Sequence, residues 1–373
     1  MSRRPPPLTP LAASLPATVP FVGPEEQERA RGEPFAARLG ANESVFGPSP
    51  RAVEAMRAAA PDAWKYADPE SHEVREALAV SLGVPAASLK VGEGIDGLLG
   101  IAVRLFVGPG DRVVTSAGAY PTFNYHVAGF GGELITRPYR DDAEDPDALA
   151  AAAHETGARM VYLANPDNPM GSWHGASRVL RLLDALPDDC LLVLDEAYVE
   201  FAPEGTAPPL DPDDPRLIRF RTFSKAYGLA GLRIGYAIGH TALIAAFDRV
   251  RNHFGVNRQA QVAALAALGD RAWLSEVQRR VAESRDAIGR IAAANGLTAL
   301  PSAANFVAVD CGRDGAFARR VLEGLVGRGV FVRMPGAPPL DRCIRISAGR
   351  EEDLAVLAEA LPAALADAGA TVA

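Results

Sequence analysis

Cysteine is scarce. The 373 residues hold three, Cys190, Cys311 and Cys343, odd in number and scattered. They offer neither a disulfide framework nor metal-ligand spacing, so no metal site is expected and buried thiols in a reducing cytosol are. Lysine is equally scarce: Lys65, Lys90 and Lys225 stand against 35 arginines. Chemistry that needs a side-chain amine therefore has three candidates. Long apolar runs are missing as well. No stretch reaches the ~20 residues needed to cross a bilayer. Pro10, Pro16, Pro20 and Pro24 interrupt the N-terminal region before a signal-peptide core can form. A cytoplasmic protein with no membrane partner is expected. Excess positive charge is also absent. A formal charge of −8 and a pI of about 5.4 argue against a non-specific nucleic-acid binder, which needs a clustered basic face. A local basic pocket for a small anion stays open.

What is present is an ordinary globular composition, 48% hydrophobic and 23% charged, on a chain long enough for two domains. The first ~30 residues read as a loose arm because proline and charge oppose packing. From about Pro50 the pattern is α/β. RAVEAMRAAA and SHEVREALAVSLG carry apolar residues at helical spacing. Short apolar strands then alternate with helical stretches: DRVVTSA, GELITRPY, RMVYLAN, LLVLDEAY, LIRFRTFS and LRIGYAIG. Runs such as LLVLD are apolar at consecutive positions, as in strands covered on both faces of a mostly parallel sheet. After about Phe254 a long helical stretch from Gln259 to Gly296 leads into NFVAVDC, a helix, GVFVRM, CIRISAG and a closing helix. This reads as a second, smaller α+β domain.

In open parallel sheets, ligands sit beyond the carboxyl ends of the strands. Three polar clusters follow strands in that way: Asn165-Pro-Asp-Asn168-Pro-Met-Gly171, Asp195-Glu-Ala-Tyr198, and Ser224-Lys225 with Arg233 eight residues on. A fourth, Gly92-Glu-Gly-Ile-Asp-Gly97, opens a helical stretch. Singly these are an N-cap, turn chemistry and surface charges. Together they meet the needs of a pyridoxal-phosphate site. That site needs an amine for the imine, an acid to keep the pyridine nitrogen protonated, donors at the ring oxygen, and cations, hydroxyls and helix-start amides for the phosphate. Lys225, Asp195, Asn168 with Tyr198, and Ser224 with Arg233 supply these in turn. Gly94, Ile95 and Asp96 add the amides.

The segments NPDNPMG, DEAY and FSKAYGLAGLRIGYAIG resemble fold type I aminotransferases, specifically the histidinol-phosphate aminotransferase branch. The resemblance runs from Leu39 to Gly349. It implies a class I/II enzyme of the α/β PLP-dependent transferase fold, with a mostly parallel sheet in the large domain and a smaller α+β domain. The expected division is 1–44 as arm and part of the small domain, 45–255 as the large cofactor-binding domain, and 256–373 as the small domain. It implies Lys225 as Schiff-base lysine and proton shuttle, and Asp195 on the pyridinium nitrogen. It further implies Tyr198 and Asn168 on the ring oxygen, Phe123 stacked on the ring, and Ser224, Arg233 and the amides of Ile95 and Asp96 on the phosphate. Tyr66 would reach the phosphate of a neighbouring subunit, making a homodimer. Arg345, Arg333 and Asn42 would meet the substrate, since a planar guanidinium pairs bidentately with carboxylate or phosphate.

The implied reaction is transamination between an amino donor like histidinol phosphate and a 2-oxo acid such as 2-oxoglutarate, as in amino-acid biosynthesis. Alternatives are an aromatic amino acid aminotransferase, a PLP-dependent decarboxylase on the same fold, and a non-catalytic PLP-binding protein. Gly92-x-Gly-x-x-Gly97 also satisfies a dinucleotide fingerprint, with Asp111 downstream, but only the short SLKV precedes it. Met170, where the family commonly has Thr, and the NHFGVN segment depart from the family pattern close enough to the expected site to bear on specificity.

Overall fold

The computed structural model describes residues 6–17 and 22–370. Seven strands form the central sheet in the order Leu89–Gly92, Gly235–Gly239, Leu217–Thr222, Leu191–Asp195, Met160–Ala164, Arg112–Ser116 and Glu133–Arg137. The last five run parallel. Gly235–Gly239 is antiparallel to both its neighbours.

Side chains of consecutive strand residues point to opposite faces, and here both faces are covered. Tyr162, Val193 and Phe220 pack with Leu98, Leu99 and Val103 of the helix Gly94–Phe106 on one side. Val161, Leu192 and Leu194 pack with Leu149, Val179 and Leu183 of the helices Pro146–Thr156 and Ala176–Asp184 on the other. This is why MVYLA and LLVLD are buried at every position. Each strand-end polar residue thereby emerges at one edge of a rigid, dry layer.

A second body has its own core. The antiparallel strands Cys343–Ser347, Phe306–Asp310 and Thr298–Ala299 pack Val307, Val309, Ile344 and Ile346 against the helices Gly315–Gly327 and Glu351–Ala370. The N-terminal segment joins this body, because Ala37–Arg38 pairs in parallel with Val330–Phe331.

Local details depart from the sequence reading. The helical stretch after Gln259 is two helices, Arg258–Leu268 and Arg271–Ala294. Gly269 closes the first, and Asp270 caps the second by accepting from the Trp273 amide. The first helix packs on Pro50–Ala59 and His72–Leu82 beside the large sheet, through Ala260, Ala263, Ala264 and Ala267. An all-alanine face lets helices approach closely. The N-terminal arm holds the helices Pro10–Ser14 and Pro24–Arg31. Pro10 and Pro24 start them, since a first-turn proline forfeits no hydrogen bond. All three cysteines are buried and unpaired. No helix among the described residues is long and apolar enough to cross a membrane.

Candidate active site

A cavity of about 690 Å³ opens between the carboxyl edge of the large sheet and the second body. Asn42, Ile95, Asp96, Asn168, Asp195, Tyr198, Ser224, Lys225, Arg233, Arg333 and Arg345 all line it. Residues more than 300 positions apart in the chain are thus brought to one wall.

Asp195 ends the strand Leu191–Asp195 and is buried. Its Oδ2 accepts from the Tyr162 hydroxyl at 2.8 Å and its Oδ1 from the Ala197 amide at 2.9 Å. Burial raises its pKa to about 6, against the pull of those two bonds. A cationic partner within the cavity would restore the carboxylate. Across the floor, Lys225 Nζ donates to the Asn42 carbonyl at 3.0 Å and sits 5.5 Å from the Tyr198 ring centroid. Burial lowers the Lys225 pKa to about 8, helped by the charges of Arg345 and Arg233 and opposed by Glu43 and Asp195. Near neutral pH the amine is thus much closer to its nucleophilic form than an exposed lysine.

The other end of the cavity suits an anion. The first amides of the helix Gly94–Phe106, like those of any helix, lack intrahelical partners and carry the positive end of the dipole, and no side chain caps them. Ile95 and Asp96 present that helix start to the cavity. Ser224 Oγ accepts from Thr222 Oγ1 at 2.9 Å and from Arg233 Nη1 at 3.5 Å. Gly94 has φ of 74°, and a Cβ there would lie 2.6 Å from Arg233 Nη2. Only glycine lets that guanidinium lie against the helix start. Amine, acid and anion cradle together fit the phosphorylated pyridine aldehyde that the sequence implies. The dinucleotide reading loses its context, because Leu89–Gly92 is an edge strand paired antiparallel rather than the opening of a βαβ unit.

Toward the mouth, Arg345 Nη1 donates to Asn168 Oδ1, and Nη2 donates to the Gly40 carbonyl at 3.2 Å. Its guanidinium lies over the Phe306 ring, 5.2 Å from the centroid. Burial lowers its pKa. Arg333 is bridged to Arg345 through their backbones, and its guanidinium donates to the Val22 carbonyl. Burial and the charge of Arg345 hold the Arg333 pKa down to about 10. Two partly desolvated arginines, opposite each other across one backbone bridge, therefore both line the cavity. Asp167, behind them, accepts from the Tyr139 hydroxyl at 2.8 Å and attracts Arg345.

Three expected residues are not on this wall: Gly94, which stands directly before Ile95 at the helix start, Phe123 and Tyr66. Phe123 is fully buried and stacked on Tyr162, with centroids 4.4 Å apart and planes 18° from parallel. Phe123 was expected on the cofactor ring, but the aromatic of that helix start which lines the cavity is Tyr120. Asp96, Asp195 and Arg233 all act on its phenol. The four-residue run Tyr120 to Phe123 leaves the choice between its two aromatics to the helix rotation. Tyr66 is 79% exposed, outside its own chain's cavity, with its ring 4.7 Å from that of Phe254. Tyr162 and Thr222 were missed by the sequence reading. Both sit inside strands, where an apolar or β-branched pattern hides an inward hydroxyl.

Of the departures from the family pattern, Met170 is buried with Ala308, Leu340 and Cys343, away from the cavity. Within NHFGVN, Phe254 covers Tyr66, so that segment borders the exposed aromatic surface.

Residues 37–361 match the family described as aminotransferase class I and II. Histidinol-phosphate aminotransferase of Anaeromyxobacter sp. (strain Fw109-5) is 38% identical over 347 residues, covering 91% of this chain and 94% of that protein. That of Rhodospirillum centenum is 37% identical over 347 residues, covering 92% and 94%. The crystal structure of histidinol-phosphate aminotransferase from Sinorhizobium meliloti in complex with pyridoxal-5'-phosphate is similar with a TM-score of 0.94. It is 56% identical and covers 96% of this chain and 98% of that one.

Proposed function

Starting from the fact that this chain belongs to the class I and II aminotransferase family, we propose that its amino donor is histidinol phosphate and its acceptor a 2-oxo acid such as 2-oxoglutarate. The enzyme is a pyridoxal-phosphate-dependent aminotransferase. The observation that carries the donor assignment is the pairing of Arg345 with Arg333 at the mouth. Two arginines at paired backbone positions of one cavity match a phosphate dianion in one half-reaction and a dicarboxylic amino acid in the other. The relatives named histidinol-phosphate aminotransferase support the same choice.

When bound, the cofactor supplies an electron sink that makes the carbon bearing the amino group acidic. In this reading the protein's residues do the rest. Lys225 would hold the cofactor covalently at rest. Its Nζ, once free, would move the proton of the donor's carbon, a task suited to an amine whose pKa is about 8. Asp195 would keep the pyridine nitrogen charged. Tyr198 and Asn168 would hold the ring oxygen, Tyr120 would cover the ring, and Ser224, Arg233, Gly94, Ile95 and Asp96 would hold the phosphate. The apolar walls exclude water.

The same reading places the enzyme in the cytoplasm as a homodimer. Trp64 and Tyr66 are 80% and 79% exposed, and exposed aromatics of that size mark a surface to be covered. Tyr66 would then serve the partner's phosphate site.

The test is a panel of amino donors with 2-oxoglutarate, including histidinol phosphate, phenylalanine and tyrosine. Turnover is expected with histidinol phosphate and is expected to fall at least tenfold in kcat/KM on Arg345→Lys. Turnover confined to aromatic amino acids defeats the donor assignment, release of carbon dioxide favours a decarboxylase, and bound cofactor without turnover of any donor favours a silent binder.

A further inference from the structure

Asn42 has φ of 54°, in the left-handed region that Asn tolerates better than most residues. That backbone turns its carbonyl inward, where it accepts from Lys225 Nζ at 3.0 Å and from Asn305 Nδ2 at 3.1 Å. Both ends of its side chain are committed. Oδ1 accepts from Ser347 Oγ at 2.9 Å, and the Asn42 amide donates to the same Oγ at 3.0 Å. Nδ2 donates to the Tyr198 hydroxyl oxygen at 3.1 Å. With Oδ1 taken by the Ser347 hydroxyl, the amide end that faces Tyr198 is the nitrogen. The Tyr198 oxygen therefore receives a bond, and its own proton points elsewhere. Tyr198 lines the cavity, so the open direction is the cofactor's ring oxygen.

We propose that Asn42 is a positioning residue for the cofactor rather than a contact of the substrate. Its amide aims the Tyr198 proton at the ring oxygen, and its carbonyl sets where the freed Lys225 amine rests. Accepting a bond also makes the phenol a better donor, since chained hydrogen bonds polarise one another. Ser347 lies two residues beyond Arg345 on the strand Cys343–Ser347, on the same face. The arginine at the substrate end and the anchor of Asn42 thus share one element. The inference rests on the pyridoxal-phosphate reading given above.

The experiment uses the cofactor-loaded enzyme and reads the pH midpoint of the bound cofactor's visible absorbance change. A phenol donating to the ring oxygen spreads its negative charge and favours the deprotonated Lys225–cofactor linkage, so the midpoint rises when that donor is weakened. Asn42→Gly keeps the left-handed backbone and removes the amide. The expected shift is upward by about half a unit to one unit, the size of one lost hydrogen bond. In a Tyr198→Phe background, Asn42→Gly is expected to add nothing, because the two act through one bond. Ser347→Ala, which loosens the amide without touching the left-handed turn, is expected to give a smaller upward shift that Tyr198→Phe also abolishes. It carries the test if Asn42→Gly does not fold.

An unchanged midpoint with only the KM of the amino donor raised would make Asn42 a substrate contact and overturn the proposal. So would a shift of equal size with and without the Tyr198 hydroxyl. Failure of the wild type to develop any visible band with pyridoxal phosphate is a different result, and it would overturn the cofactor reading itself.

Discussion

Tyr162 donates its hydroxyl to Oδ2 of Asp195 at 2.8 Å, and both groups are buried. The bond orients the carboxylate but does not neutralise it, and burial leaves the Asp195 pKa near 6. A folded-state pKa above the unfolded value of 3.8 means the folded protein binds more protons between those pH values. The cofactor-free protein therefore loses stability as pH rises through roughly 4 to 6, by on the order of 3 kcal/mol at most. Asp195→Asn is expected to reduce that slope in thermal melts of the cofactor-free form, leaving the part that the buried carboxyls Asp167, Glu200 and Glu144 contribute. It is also expected to weaken pyridoxal phosphate binding at least tenfold. A variant that keeps wild-type affinity would remove Asp195 from the pyridine nitrogen.

Lys225 has the opposite sign of shift. Its folded pKa of about 8 lies below the ordinary lysine value of 10.5, so the unfolded chain binds more protons between them. Stability of the cofactor-free protein rises as pH climbs from about 8 to 10.5, and below that window the buried amine is a cost. Lys225→Met is expected to melt higher than the cofactor-free wild type at pH 7, with the gap narrowing above pH 8. The same variant is expected to show no visible band with pyridoxal phosphate. A band of wild-type intensity would transfer the linkage to another amine.

The two aromatics at the start of the helix Pro121–Gly129 separate fold from cofactor. Phe123→Ala removes a fully buried ring stacked on Tyr162 and is expected to cost about 3–5 kcal/mol of stability. Tyr120→Ala keeps the Phe123–Tyr162 stack and trims only a partly buried ring at the edge of the same core. It is expected to weaken cofactor binding by about threefold to tenfold, with a smaller drop in denaturation midpoint than Phe123→Ala. The reverse pattern in paired urea melts and cofactor titrations would return Phe123 to the ring.

Gly94 tests the anion end. Alanine there meets both the positive φ and the Arg233 guanidinium at 2.6 Å. A left-handed alanine costs about 1–2 kcal/mol, and Arg233 must move away from the helix start. Gly94→Ala is expected to lower affinity for inorganic phosphate and for pyridoxal phosphate together, by roughly tenfold each. Loss of affinity for neither, measured by calorimetry, would place the phosphate elsewhere.

Much of the architecture was legible because it rests on local patterning. Consecutive apolar residues in LLVLD and MVYLA announce doubly covered strands, and the polar residues after them fall at strand ends. Helix breaks were less legible. Gly269 and Asp270 look like interior residues of one amphipathic stretch until the first helix turns its alanines toward Pro50–Ala59.

By itself the sequence determined the cofactor chemistry. Lys225 is one of only three lysines, and it stands between a serine and an arginine at a spacing that a strand and a tight turn place on one edge. Asp195 and Asn168 follow neighbouring strands of the same sheet. Tertiary structure alone decided which aromatic faces the cavity, because the one-helix rotation that buries Phe123 against Tyr162 is set by packing from a different strand. It also decided which groups Asn42 meets. Its partners Tyr198, Lys225, Asn305 and Ser347 lie 156 to 305 residues away along the chain, and no local pattern encodes a hydrogen bond of that reach.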